Sequence, residues 1–105
     1  MSGQTTKPSD ETKRSAYRER REAQLREWAA RLDGWQARMD RKKAEAKIRY
    51  EETLDDLQSR VDGAENRLRD LRDAGEGAWR DLKSGVDEAF DDLRKAFERA
   101  SSKFD

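Results

Sequence analysis

From Leu25 to Phe104 the apolar residues return three or four positions apart, and this spacing constrains the chain more than any other feature. A strand needs alternation with a period of two; a period near 3.6 puts one face of a helix against something else. Leu25, Trp28, Leu32, Trp35 and Met39 follow the pattern over two heptads, with Trp at one seam position and Leu or Met at the other. It thins through RKKAEAK and resumes at Tyr50, Leu54, Leu57, Val61, Ala64, Leu68 and Leu71. Between the two runs the phase slips by one residue, a stutter that a long helix absorbs by local unwinding.

The last quarter of the chain repeats differently. Residues 78–104 read AWRDLKSGVDEAFDDLRKAFERASSKF, which nearly copies itself every eleven residues. Leu82 matches Leu93, Val86 matches Phe97, Trp79 matches Phe90, Leu93 matches Phe104, and Ala78 matches Ala89 and Ala100. Eleven residues make three turns at about 3.67 residues each, so one apolar face stays nearly straight.

Composition narrows the class. Hydrophobic residues are 32% of the 105 and charged residues 46%. That is thin for an ordinary globular core and suits long helices with a narrow buried seam. Proline occurs once, at Pro8. Acid-first pairs four apart also support helix: Glu22–Arg26, Glu27–Arg31, Glu45–Arg49, Asp56–Arg60 and Glu65–Arg69.

The expected organisation is all-α. Residues 1–9 read as a flexible tail, with Ser9 as a helix cap. Residues 10–73 are predicted to form one long coiled-coil helix, 74–77 a hinge at Gly75 and Gly77, and 78–104 a shorter amphipathic helix. Leu71, Gly75, Ala78 and Leu82 keep helical spacing through the hinge, so a continuous rod is the alternative to a hairpin. If the chain folds back, the short helix covers only the part of the long one from about Ala46 to Leu71. Leu25, Trp28, Leu32, Trp35 and Met39 would then remain exposed as a self-association seam, and the expected partner is a second copy.

Charge adds to that expectation. The net charge is zero, but residues 11–50 hold 13 Lys/Arg against 7 Asp/Glu, and residues 51–105 hold 10 against 16. Opposite ends of opposite sign favour antiparallel pairing. The competing use of the apolar face Trp79, Leu82, Val86, Phe90, Leu93, Phe97 and Phe104 is to lie on a membrane surface or an unfolded client protein. The even balance of acid and base on its polar side argues against anionic lipid.

No enzymatic chemistry is expected. The chain has no Cys and no His, which removes thiolate sites and the commonest general base and metal ligand. The acidic pairs Glu51/Glu52, Asp55/Asp56, Asp87/Glu88 and Asp91/Asp92 read as solvated faces, because a thin seam offers no pocket to shift their pKa values. No cofactor, metal or catalytic residue is predicted. Nucleic-acid binding is disfavoured, since Asp40 and Glu45 interrupt the basic stretch RMDRKKAEAK. There is no signal-peptide-like apolar segment and no spanning run, so a cytoplasmic location is expected.

The segment Ala78, Trp79, Asp81, Leu82, Lys83, Gly85, Val86, after a Leu-rich charged helix and before a Phe-bearing one, resembles a family of small bacterial coiled-coil stress-response proteins. The resemblance spans roughly residues 20–104. It implies a helical, non-enzymatic, stress-linked protein and transfers no catalytic residue.

Overall fold

A computed structural model describes residues 10–104, and all of its regular structure is helical. Helix α1 spans Asp10–Met39, α2 Ala44–Arg72 and α3 Glu76–Phe104. The expected tail 1–9 and the Ser9 cap lie outside the described residues. The three helices run up, down and up. Residues 18–25 of α1 lie beside 65–72 of α2, and residues 60–67 of α2 beside 85–93 of α3.

The single helix expected over 10–73 is in fact two. Asp40, Arg41, Lys42 and Lys43 form a turn, and the last bonds of α1 tighten from i−4 to i−3. The Asp40 amide donates to the Gln36 carbonyl at 3.2 Å, then Arg41 to Arg38 at 3.1 Å and Lys42 to Met39 at 2.9 Å. Lys43, extended at φ −70° and ψ 157°, starts α2 without a side-chain cap.

No proline or glycine forces this break, so local propensity did not reveal it. Intrinsic helix propensity differs by at most ~0.7 kcal/mol per residue among ordinary side chains, so local preference at these four charged positions is a weak term. Folding back buries Leu25, Trp28, Leu32 and Trp35, each worth roughly 1.5–3 kcal/mol. Burial outweighs helix continuity, and the phase slip marks where one buried face hands over to the next.

The second break is shorter than expected. It occupies 73–75, and Gly77 already lies in the first turn of α3. Asp73 ends α2 in a right-handed conformation, and the Gly75 carbonyl accepts from the amides of Ala78 and Trp79 at 3.2 Å. A Cβ at Gly75 or Gly77 would meet nothing within 4 Å, so neither glycine is demanded by space.

The core draws on all three helices. Helix α2 contributes Leu54, Leu57, Val61, Ala64, Leu68 and Leu71, an unbroken three-four series. Helix α3 contributes Val86, Phe90, Leu93, Ala96, Phe97 and Ala100. The eleven-residue copies do not share one environment: Ala78 is exposed, Ala89 half-buried and Ala100 buried. A helix of 3.6 residues per turn rotates such a series steadily across its surface.

Candidate functional site

Helices α1 and α3 meet through aromatic rings. Tyr17 meets Trp79 edge-on with centroids 6.1 Å apart, Trp28 meets Phe90 at 5.5 Å, and Trp35 stacks on Phe97 at 5.5 Å. These three pairs share one offset of 62 residues, so the helices are parallel and in register. Trp28 also stacks on Phe97 at 5.4 Å, and Trp35 meets Phe104 edge-on at 5.1 Å. Each Trp therefore sits between two rings of α3. Such pairs add about 0.5–1.5 kcal/mol each beyond buried area.

A polar cluster closes one end of this seam. The Tyr17 hydroxyl donates to the Asp87 carboxylate across α1 and α3. Arg21 Nη2 donates to Asp87 Oδ1 at 2.8 Å, and Lys83 Nζ to Asp87 Oδ2 at 3.0 Å. The Arg21 guanidinium lies over the Tyr17 and Phe90 rings at 5.2 and 4.7 Å, and Lys83 over Tyr17 at 4.8 Å. Burial, reinforced by the bond to Asp87, pushes the Tyr17 phenol up to about 12. Burial alone would raise the Asp87 carboxyl, but the bonds from Tyr17, Arg21 and Lys83 outweigh it and hold the group below its usual value. A neutral phenol and an ionised carboxylate form a latch between helices.

The other end of the bundle brings together the end of α1, the start of α2 and the end of α3. Tyr50 stacks on Phe104 with centroids 4.2 Å apart, and Lys42 lies over Tyr50 at 5.4 Å. Arg38 Nη1 donates to the Phe104 carbonyl at 3.2 Å. An open cleft beside the ring stack is lined by Glu45, Ala46, Arg49, Tyr50, Thr53, Lys103 and Phe104. Ile48, on the outward side of α2, is 59% exposed and is the one large hydrophobic so exposed among the described residues.

The two residue sets read from the sequence thus turn out to be the two sides of one interface. Leu25, Trp28, Leu32 and Trp35 are buried, and Met39 packs partly against the core. The exposed seam expected at 25–39 is therefore corrected to an internal one. Its cause is the turn at 40–43, which makes room for α3 as well as α2 on the inner face of α1. Val86, Phe90, Leu93 and Phe97 are buried in turn, the two Phe to 1% exposure, while Trp79, Leu82 and Phe104 are half-buried.

The spacing that pairs the helices is written in the sequence. Tyr17, Trp28 and Trp35 follow steps of eleven and seven, and so do Trp79, Phe90 and Phe97. Two helices with matching aromatic steps can pair ring for ring only when parallel. Tyr17, Arg21 and Asp87 carried no sequence signal of their own, because they lie 66 and 70 residues apart across the interface.

Asp87 departs from the solvated face expected of the pair Asp87/Glu88, because α1 brings Tyr17 and Arg21 onto it. Among the described residues, Asp56 and Asp91 of the other acidic pairs bond only to cations of their own helix. Asp56 pairs with Arg60 at 2.9 Å, and Asp91 with Arg94 at 2.7 Å and Lys95 at 3.1 Å. Among the described residues no cluster of three or more carboxylates is positioned to hold a metal ion. No helix there is long and apolar enough to cross a membrane. No family model, no curated protein and no solved structure matches this chain.

Proposed function

We propose that this chain is a non-enzymatic structural or interaction protein that acts by helix-mediated self-association, in a protective role under stress. The observation that carries the reading is the outer face of α1. Ala16, Ala23, Ala30 and Ala37 recur every seven residues on that helix, and all four are exposed. They lie opposite the buried Trp seam. Alanines at this spacing let a second helix approach closely along the whole length.

The charges around the stripe select an orientation. Antiparallel pairing of two copies about a two-fold axis between Arg26 and Glu27 sets Ala16 opposite Ala37 and Ala23 opposite Ala30. It also sets Arg20 opposite Asp33, Lys13 opposite Asp40, and Arg26 opposite Glu27. A slip by one heptad toward the N-terminus would put Arg20 against Arg26 and Glu19 against Glu27, and one the other way would put Glu27 against Asp33, like against like. The contact is modest. A helix of this length offers a strip of ~40 Å by ~10 Å, or roughly 400 Å² per copy, below the ~800 Å² per partner of a standard interface. Association is accordingly reversible and concentration-dependent, and salt weakens it.

The stress role is supported by the resemblance of 78–86 to coiled-coil stress-response proteins and by the dense surface charge. Light scattering over a concentration series in low salt tests the association. The mass should rise with concentration for the natural chain and stay monomeric for an Ala23→Arg/Ala30→Arg variant of unchanged helicity. A natural chain that stays monomeric throughout overturns the reading.

A further inference from the structure

We propose that the end of the bundle formed by the turn at 40–43, the start of α2 and the end of α3 docks on an anionic lipid surface. This goes beyond self-association and uses a different surface. Residues 38–49 hold six cations, Arg38, Arg41, Lys42, Lys43, Lys47 and Arg49, against Asp40 and Glu45. Lys103 joins them from α3, brought to this end by the turn at 40–43. At the opposite end, residues 69–81 hold three cations against four acids.

What separates this patch from ordinary surface charge is its local net excess, six cations against two acids over 38–49. Some cations elsewhere are neutralised by neighbouring carboxylates, as in Arg60–Asp56, Lys83–Asp87 and Arg94–Asp91. Among the described residues, Arg41, Lys42, Lys43, Lys47, Arg49 and Lys103 hold no ion pair. The bland alternative is that these cations only balance helix dipoles. Two C-termini and one N-terminus converge here, a sum of about −0.5 charge at ~0.5 each. A net excess of four positive charges over 38–49 is far more than that requires.

The apolar groups at this end fit a lipid interface. The Tyr50–Phe104 stack forms part of the lining of the open cleft, with Ala46 beside it and Arg49 and Lys103 as its cations. A headgroup phosphate held by those two cations would leave the start of an acyl chain in the cleft, against the ring edges and Ala46. Exposed Ile48 lies on the outward side of the same first turns of α2. Glu45 at the cleft and Glu51 and Glu52 beyond Ile48 bound the patch, so contact is confined to the tip. Nucleic acid fits less well. Base stacking needs a free aromatic face, and here Tyr50 lies between Phe104 at 4.2 Å and Lys42 at 5.4 Å.

Co-sedimentation of the full chain with vesicles tests this. Binding is expected to phosphatidylcholine mixed with phosphatidylglycerol at low salt, and not to phosphatidylcholine alone. An Arg41→Gln/Lys42→Gln/Lys43→Gln variant should lose roughly a hundredfold in partitioning, the result of removing three surface cations. An Arg72→Gln/Arg80→Gln variant, altered at the other end, should bind like the natural chain. The altered turn is exposed and outside the core, and circular dichroism checks that the helices are retained. Failure to bind the mixed vesicles, equal binding to neutral ones, or undiminished binding by the triple variant would each overturn the proposal. So would tighter binding to a single-stranded oligonucleotide than to the mixed vesicles. The Ala23→Arg/Ala30→Arg variant should still bind, which separates this surface from the self-association face.

Discussion

Helix α2 and the α1/α3 pair solve the same packing problem with different side chains. Helix α2 presents Leu, Val and Ala, and its backbone comes close to both neighbours. Helices α1 and α3 present rings, and their backbones stay farther apart while Trp and Phe fill the space between them. Aliphatic side chains fill volume with little demand on orientation. Ring pairs at 5–6 Å constrain angle as well as distance. The Leu series therefore buries α2, while the ring ladder sets the register of α1 on α3.

The largest test of this contrast is in the core. Trp28→Ala removes a side chain held between Phe90 and Phe97 and should cost about 3–5 kcal/mol. Leu57→Ala, in the aliphatic face, falls in a range of about 2–5 kcal/mol. Denaturant unfolding of the two variants side by side should show the Trp loss as the greater. An equal or greater loss at Leu57 would move the dominant contact to α2.

A smaller test concerns how closely the helices approach. Gly34 on α1 faces open space, whereas a Cβ at Gly85 on α3 would lie 3.2 Å from Arg67 Nη1 of α2. Gly34→Ala should stabilise by about 1 kcal/mol from helix propensity alone. Gly85→Ala should gain less, because Arg67 must shift its flexible end. Equal thermal gains would mean that α2 and α3 are not close-set at Gly85.

The polar latch supplies the smallest effects. Asp87 is held below its ordinary 3.8, so its contribution is complete above that pH and is lost as pH falls through the lower folded value. Asp87→Asn should cost up to ~1 kcal/mol near neutrality, the range for a part-exposed ion pair. It should also flatten the acid limb of stability against pH. Tyr17 runs the other way. Its phenol rises from 10.0 to about 12, so its contribution is whole below pH 10 and disappears as pH climbs through that interval. In a Tyr50→Phe background, phenolate absorbance should report a Tyr17 midpoint near 12, and adding Asp87→Asn should lower it. An unchanged midpoint would remove Asp87 from the latch.

How much was legible differs by element. The helical class and the membership of each apolar face follow from the three-four spacing, because that spacing is a property of one helix by itself. The break after Arg72 was legible from Gly75 and Gly77 near the end of a regular run, although its limits are 73–75. The turn at 40–43 was not legible from local signals. Arg41, Lys42 and Lys43 are adequate helix formers, and only the gain from burying Trp28 and Trp35 on another helix makes a turn there favourable. The candidate surfaces divide in the same way. The Ala16–Ala37 spacing is written in one helix, but its exposure depends on which face the bundle consumes.

Residue order along the chain thus determined that the protein is helical and which side of each helix is apolar, since periodicity acts within a few turns. The tertiary structure alone decided that Leu25, Trp28, Leu32 and Trp35 face inward, that Tyr17 and Arg21 reach Asp87, and that Lys103 joins the basic turn. These outcomes depend on contacts between residues some forty to seventy positions apart. Their free energy comes from burial and ring pairing between helices, and no stretch of one helix contains it.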